Sequence, residues 1–375
     1  MTISRRAWWW IGLAVVTVAL AIDPWAKWNP VSVDFRTYLA AARVGLQNGW
    51  PLIYDQVLVA AGQSRIEVKD IWSQPFISPP VVAWLVVPLT IFPYWVSFGI
   101  WAVFNFVTLA AALVWAGVST GISRWIAVIG TLASWWVMQA LSVGQVVPLV
   151  AVGMVIAWRL LREKKDIAAG LVLSLIFLKP NTAILVPFAL LVAGRYRVFA
   201  TWVAAGGVLA LIAVLTLGSN GITAYVNLLM GPLPPGADAL TLHGAAGLTG
   251  AFGSIARVLI VGIVLATAFK LRASPGLVLP VAIVGSLIMS PYLHGSDLCL
   301  LSVAAWILWE ERTAPAWRVS LALGWVLGSP FLLPLGLSPS LNRWPWVEYA
   351  LLVALVVGAW RPLTGTADLR TRAPA

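Results

Sequence analysis

The chain has 375 residues, of which 61% are hydrophobic and 10% are charged, and its mean hydropathy is +0.92. Soluble domains carry about 25% charged residues, so this composition excludes a soluble globular protein and predicts a polytopic membrane protein. The net charge of +11 indicates basic cytoplasmic loops rather than nucleic-acid binding. The single cysteine, Cys299, excludes an internal disulfide and a CxxC metal site.

Thirteen apolar segments follow one another along the chain. They cover residues 7–22, 79–93, 96–117, 125–143, 146–161, 166–178, 180–194, 197–218, 251–269, 276–293, 297–309, 316–336 and 344–361. Several are shorter than the ~20 residues that a straight transmembrane helix needs. The positive-inside rule predicts that the basic clusters between them are cytoplasmic. These clusters are Arg5-Arg6, 159–165, 194–197, 270–272, 310–318 and the tail from Arg361.

With both termini in the cytoplasm, this orientation predicts an all-α protein with about twelve transmembrane helices. The whole chain, residues 1–375, forms one integral membrane domain, with a first outer loop at 23–78 and a second at 219–250. One region does not fit this orientation. Four apolar segments lie between residues 79 and 161, where an odd number of crossings is required. One of the four is therefore not a full span.

A helix is predicted in the first outer loop, in the stretch FRTYLAAARVGL. The helical period places Arg36 and Arg43 together on one face. The opposite face carries the apolar residues Phe35, Leu39, Ala42 and Leu46. This pattern is typical of an amphipathic helix that lies in the membrane interface.

Asp34 directly precedes this predicted helix and is the strongest candidate for chemistry. A carboxylate near an apolar interface is costly unless it is paired or functional. As a functional group, Asp34 would be a general base that takes the proton of an attacking hydroxyl. As a structural group, it would be a solvated acid paired with Arg36.

Lys179 interrupts a long apolar run and directly precedes Pro180, which breaks the helix. Its ammonium group could stabilise the charge of a phosphate, or it could extend to the membrane surface from a helical turn. The neighbouring Asn181 fits a turn former better than a ligand.

Two further polar positions lie near the outer ends of apolar segments. His294, in SPYLHGSDL, could bind phosphate or transfer a proton, or it could be a structural turn residue. Asp297 in the same stretch belongs to this candidate site, or it could equally be the N-cap of the next helix. Gln145, in SVGQVVPL, could hydrogen-bond a sugar hydroxyl or a neighbouring helix.

Several common catalytic motifs do not occur in the sequence. It contains no GxxxxGKS, HExxH, DxD or GxSxG and no two histidines four residues apart. The sequence therefore gives no support for a nucleotide-driven pump, a catalytic metal or a serine-hydrolase nucleophile. We expect no cofactor and no metal.

Five stretches, in order, resemble glycosyltransferase family 87 over roughly residues 30–310. They are VDFRTYLAAARVGLQNGWPLIYD, SPPVVAWLVVPLTIFPYWVSFGIWAVFN, GQVVPLVAVGMVIAWRLLREKKDIAAGLVLSLIFLKPNTAILVPFALLVAGRYRVFA, LTGAFGSIARVL and SPYLHGSDLCLLSV. The resemblance implies a GT-C-type helical bundle with a large first outer loop. It also implies an inverting transfer of mannose or another hexose from a polyprenyl phosphate to a lipid or glycan hydroxyl. That reaction takes place on the outer face of the cytoplasmic membrane.

The resemblance also implies roles for particular residues. The family's loop aspartate corresponds to Asp34, the catalytic base. The residues that meet the charge of the donor phosphate are Lys179, His294 and Arg36. The residues that contact the substrates are Tyr38, Tyr54, Gln145 and Asn181. No nucleotide is needed at this step, and the partners are the donor lipid, the acceptor and the surrounding membrane lipids.

Two other functions are open to a membrane protein of this composition. A secondary transporter would contain an inverted internal repeat with broken helices in matching halves, and no such repeat is visible in the sequence. A lipid-carrier flippase or a polysaccharide-assembly protein would share the topology without transferase activity.

Overall fold

The computed structural model describes residues 32–66, 73–232, 236–311, 314–327 and 344–360. This described part is helical, without β-strands, and contains sixteen α-helices. In chain order they are α1 (Val33–Asn48), α2 (Gln56–Ser64), α3 (Pro80–Val86), α4 (Tyr94–Ala116), α5 (Gly121–Leu132), α6 (Trp135–Ser142), α7 (Val147–Arg162), α8 (Asp166–Leu173), α9 (Leu185–Val192), α10 (Tyr196–Met230), α11 (Leu242–Ala246), α12 (Gly250–Lys270), α13 (Pro275–Met289), α14 (Cys299–Glu311), α15 (Pro315–Leu327) and α16 (Trp344–Trp360). The predictions for apolar segment 7–22, Arg5-Arg6 and the tail from Arg361 lie outside the described residues.

Three of these helices, α4, α10 and α12, are long and apolar enough to cross a membrane. Helices α5 and α6 would together make a fourth span, bent by 46° at the break between them. Where the structure describes them, the other apolar segments form shorter helices, with proline, glycine or polar residues at their ends or breaks. The membrane class is confirmed, but about twelve full-length transmembrane helices are not.

The longest helix, α10, has an internal break at Gly218. Its 35 residues would extend about 52 Å if they were straight, which is more than the ~30 Å hydrocarbon core of a bilayer. Gly218 has φ 62° and ψ −176°, a conformation that glycine adopts readily and other residues rarely do. The membrane-length part of α10 therefore ends where the apolar segment 197–218 ends. The predicted second outer loop, 219–250, begins with the remaining helical turns up to Met230.

The apolar segment 79–93 is one of the four that lie between residues 79 and 161. It forms α3 followed by a 3₁₀-helix at Val87–Ile91. Together these turns rise about 20 Å, less than the ~30 Å that a span requires. Helix α7, with 16 residues and a length of about 24 Å, is also shorter than a span. Length alone therefore does not decide which of the four segments between residues 79 and 161 fails to cross.

Helix α1 is confirmed as a helix, but its predicted polar and apolar faces are wrong at two positions. Arg36 is only 3% exposed, whereas Leu46 is 53% exposed. The reason is tertiary: α1 packs against α2, α3 and the 3₁₀-helices at Trp50–Leu52 and Val87–Ile91, which together cover most of its surface. Periodicity along one helix does not reveal neighbours on several sides. The location of α1 in the membrane interface remains a prediction.

A buried carboxylate fixes the loop between α4 and α5. Glu310 in α14 is 7% exposed, and its Oε2 accepts hydrogen bonds from the backbone N–H groups of Val118 (2.9 Å) and Ser119 (2.7 Å). Its Oε1 accepts a third bond from the Ser119 hydroxyl at 2.7 Å. Because hydrogen bonds to a charged group are the stronger ones, Glu310 holds the α4–α5 loop against the end of α14.

We expect Glu310→Gln to destabilise the protein. The neutral amide removes the charge that strengthens the bonds from the two N–H groups, and the Ser119 hydroxyl must reorient to accept from the new amide nitrogen, so we expect a cost of about 1 kcal/mol. Thermal unfolding of the purified protein in detergent should show a lower Tm. The control is Glu163→Gln, which removes a partly exposed pair with Arg159 and Lys165 and should change Tm little. Equal Tm values for both variants would contradict the role of Glu310 in holding the α4–α5 loop.

Candidate functional site

The start of α1 is docked onto the loop that follows α6. The backbone N–H groups of Asp34 and Phe35 donate to the carbonyl of Val143 at 2.9 and 3.2 Å, and that of Ser32 donates to Ser142 O at 2.6 Å. These bonds satisfy donors that a helix start otherwise leaves without partners. They also fix Asp34 at the positive end of α1, where a carboxylate is favourable.

Gly144 makes this docking possible. Its φ of 73° lies in the left-handed region. A Cβ atom at this position would come 2.5 Å from the Cβ of Phe35. The Gly144 carbonyl accepts a hydrogen bond from Trp101 Nε1 at 2.9 Å, which ties the loop to α4. The close approach of loop and helix therefore requires glycine.

Gln145 orients the carboxylate of Asp34. Its Oε1 accepts hydrogen bonds from the Tyr38 hydroxyl (2.5 Å) and the Val146 N–H (3.1 Å), so its amide nitrogen must point the other way. That nitrogen donates to Asp34 Oδ2 at 2.9 Å. Gln145 and Tyr38 are buried, while Asp34 is partly exposed. Within the described chain, Asp34 Oδ1 has no hydrogen-bond partner, which leaves it available to a ligand.

Opposing effects set the acidity of Asp34. Burial raises the pKa of its carboxyl group above the ordinary value, and the negative charge of Asp297 adds to this effect. The electrostatic effects of Lys179 and His294, and the hydrogen bond from Gln145, act against it without reversing it. Asp34 is thus a stronger base than an ordinary aspartate, and the cations near it belong to distant parts of the chain.

Lys179 forms a buried ion pair with Asp297. The Nζ atom lies 2.5 Å from Asp297 Oδ1, and the two side chains are 7% and 0% exposed. The possibility that Lys179 extends to the membrane surface is therefore wrong. Asp297 is not the N-cap of the next helix either, because His294 holds that place and its N–H donates to Asp297 Oδ2 at 3.0 Å. The Lys179 ammonium also lies 5.7 Å from the ring centroid of Tyr292.

Asn181 joins the break after Lys179 to the SPYLHGSD segment. Its amide nitrogen donates to the Ser290 hydroxyl at 3.1 Å and to the Tyr292 carbonyl at 3.2 Å. His294 follows on the same segment and is exposed, with its ring 5.7 Å from that of Tyr292 in an edge-on contact. The segment therefore contributes Asp297 to a buried ion pair with Lys179, and it also presents the exposed imidazole of His294.

The structure brings five predicted residues to one place and leaves two outside it. The cluster consists of Asp34, Tyr38, Gln145, Lys179 and His294, with Asn181 holding its edge. Tyr54 is buried elsewhere: its hydroxyl donates to Ser78 O and its ring stacks on Tyr225, with the centroids 4.5 Å apart. The charge of Arg36 acts on the Tyr94 hydroxyl.

Sequence reasoning missed Tyr292 and the pairing of the candidate residue Asp297 with Lys179. Tyr292 and Asp297 both lie in the stretch SPYLHGSDL that drew attention to His294, but nothing in the sequence pairs this stretch with Lys179. Among the residues that the structure describes, no group of three or more His, Cys, Asp or Glu side chains is arranged to hold a metal ion.

One comparison with known proteins gives a match. A protein-family model, described as glycosyltransferase family 87, matches residues 76–334, which is most of the chain. The matched range contains Gln145, Lys179, Asn181 and His294, and it begins after Asp34. No curated protein and no solved structure matches the chain.

We expect Gly144→Ala to destabilise the protein and to disturb the site. The added methyl group meets the Cβ of Phe35 and the backbone is left-handed, which together should cost about 1–3 kcal/mol. Thermal unfolding in detergent measures the loss. Gly207→Ala is the matched control, because it lies in α10 with open space around the added atom. A Tm for Gly144→Ala as high as that of the control would show that the loop does not need glycine.

Proposed function

The chain belongs to glycosyltransferase family 87, and on that premise we propose that it transfers a sugar from a polyprenyl-phosphate donor. The sugar is mannose or another hexose, and the acceptor is a hydroxyl group of a lipid or glycan. The observation that carries the proposal is the carboxylate of Asp34, a partly exposed residue, which Gln145 orients and which lies close to the buried cation Lys179. A base beside a positive charge suits a reaction in which a hydroxyl is deprotonated and a phosphate leaves.

Asp34 acts in this proposal as the general base. The acceptor hydroxyl gives its proton to Oδ1 of Asp34 while its oxygen attacks the anomeric carbon from the face opposite the phosphate. The bond between that carbon and the phosphate oxygen breaks, and polyprenyl phosphate leaves with the electron pair. Gln145 holds Oδ2, so the free oxygen keeps one direction, and Tyr38 in turn holds Gln145.

Lys179 and His294 are the groups that we assign to the leaving phosphate. Lys179 shares its charge with Asp297 but has further N–H donors, and His294 is accessible. Arg36 contributes at longer range because it is buried beside Tyr94. Asn181 and Tyr54 support the site by holding its segments, since their amide nitrogen and hydroxyl are engaged within the protein.

The proposal includes a GT-C-like bundle of about twelve crossings with both termini in the cytoplasm. An apolar helix that is too short to span alone would cross the membrane together with the short helix next to it in the chain, as around the break at Lys179. The first outer loop, 23–78, then carries Asp34 to the outer face of the cytoplasmic membrane, and the second, 219–250, lies on the same side. A lipid-linked donor presents its sugar at that surface.

A transfer assay tests the function directly. The purified protein is incubated with radiolabelled polyprenyl-phosphate hexoses and a lipid extract, and both the labelled product and free polyprenyl phosphate are measured. We expect equal amounts of the two. A transporter or flippase, for which the break at Lys179 gives some support, would release neither.

We expect Asp34→Asn to abolish transfer without unfolding the protein. Asparagine has nearly the same shape but cannot accept the hydroxyl proton, so the rate should fall by about 10²–10⁴. Asp55→Asn is the matched control in the same loop. Asp55 is an exposed N-cap that accepts from the N–H groups of Val57 and Leu58, and asparagine caps equally well. An active Asp34→Asn variant with an unchanged Tm would show that the base lies elsewhere.

The pH dependence of kcat/KM should report the raised pKa of Asp34. The base must be ionised, so activity should fall as the pH decreases through a pKa above the ordinary ~3.9 of aspartate. Gln145→Leu removes a hydrogen bond that lowers this pKa. The acid limb should therefore move to higher pH. Gln47→Leu, at an exposed position of α1, should leave the profile unchanged. A Gln145→Leu profile that overlays the wild type would refute the positioning role.

A further inference from the structure

Arg257 is a cation inside an apolar helix. It lies in α12, one of the three helices long and apolar enough to cross a membrane. Seven residues separate it from the start of α12, which is about 10 Å along the helix axis. A charged side chain at such a depth is costly, and it usually marks a functional site or has a partner.

No protein partner for Arg257 exists in the part of the chain that the structure describes. Its Nε atom is buried without a hydrogen bond. The ion pairs formed among the described residues do not include it. Glu348 in α16, a helix that packs against α12, is also buried without a bond to either oxygen. No ion pair joins Arg257 to Glu348 among the described residues.

Arg257 lies at the edge between the protein-facing and outward-facing sides of α12. Gly253, one turn before it, and Val264, two turns after it, are buried, and positions four and seven apart share a helix face. The adjacent Val258 and Leu259 are 70% and 59% exposed. Arg257 itself is partly exposed. The residue is therefore partly accessible on the side where lipid surrounds a spanning helix, while the Nε atom of its guanidinium group is buried.

We propose that Arg257 binds the phosphate group of a lipid, at an anion site on α12. The planar guanidinium fork matches phosphate oxygens in a bidentate geometry. Free phosphate does not enter hydrocarbon. An anion bound beside this apolar helix is therefore the headgroup of a lipid, whose chains anchor it in the membrane. The lipid is either the donor carrier or an anionic phospholipid. This inference rests on the proposed function for its orientation, in which the start of α12 faces outward.

Lipid binding without turnover tests the inference. The protein is purified in a maltoside detergent, which contains no phosphate, and titrated separately with polyprenyl monophosphate lacking sugar and with phosphatidylglycerol. Native mass spectrometry measures the affinities. For Arg257→Gln we expect a loss of about tenfold or more for at least one lipid, the size of one lost charge-assisted contact. Arg257→Lys should lose less, because it keeps the charge but not the fork.

The control is Arg272→Gln, an exposed cation just beyond the other end of α12. Its affinities should stay within about twofold of the wild type, because an exposed cation contributes little. A loss confined to polyprenyl monophosphate assigns Arg257 to the donor carrier, and a loss confined to phosphatidylglycerol assigns it to a phospholipid. Unchanged affinity for both lipids overturns the proposal. So does equal destabilisation by Arg257→Gln and Glu348→Gln that is not increased in the double variant, since this would reveal an internal ion pair.

A measurement on the wild-type chain covers the case in which Arg257→Gln does not fold. Phenylglyoxal modifies accessible arginines, and peptide mass spectrometry quantifies the modification of Arg257. The bound lipid should protect Arg257 and leave Arg272 reactive, whereas equal modification with and without either lipid overturns the proposal. Because neither measurement needs a sugar or a product, the inference can hold where the transfer assay fails, and it can fail where that assay succeeds.

Discussion

The buried ion pair between Lys179 and Asp297 is the interaction on which the site depends. It joins two places where helices are interrupted, and an unpaired ammonium in such an apolar interior would cost several kcal/mol. Asn181 adds two hydrogen bonds between the same two segments. Together these contacts fix the segment that carries Tyr292 and His294, and thereby set the charge that surrounds Asp34.

A second constraint comes from the backbone rather than from charge. The carbonyl of Val143 receives the first N–H groups of α1, and Gly144 allows the two segments to approach closely. The acid and the amide that orients it are thus placed by the same contact, because Gln145 follows directly in the docked loop. Burial makes Asp34 more basic while the cations keep that change limited. In the proposed reaction, the same cations then serve the departing phosphate.

The interrupted helices explain why a membrane protein can hold this site. Irregular backbone at membrane depth is tolerated only where it is buried in protein or lines a cavity. The breaks around Lys179 and before His294 meet this condition, since side chains from the opposite segment satisfy the polar groups that they expose. The helices on either side are consequently short, so length alone does not reveal every crossing. By the same rule, the buried Nε atom of Arg257 requires a partner, and the described residues do not provide one.

The sequence by itself determined the membrane class, the helical fold, the glycosyltransferase family and most of the residues that meet in the cluster. Composition and basic loops are properties of whole segments, and they survive any arrangement of the helices. Motifs such as GQ, KP and SPYLHGSD each marked a helix end, where backbone polar groups lose their intrahelical partners. Each could therefore be recognised alone.

Only the tertiary structure decided which of these residues act on one another. Lys179 and Asp297 are separated by several helices in the chain, and no periodicity connects them. Arg36 and Tyr54 lie in the same polar stretch as Asp34, yet both are turned into packing contacts, because α1 has neighbours on several sides. The pattern of apolar residues along a helix predicts one face that packs against one neighbouring element. The pairing of charges and the burial of a face depend on all the partners at once, and these are brought together only when the chain folds.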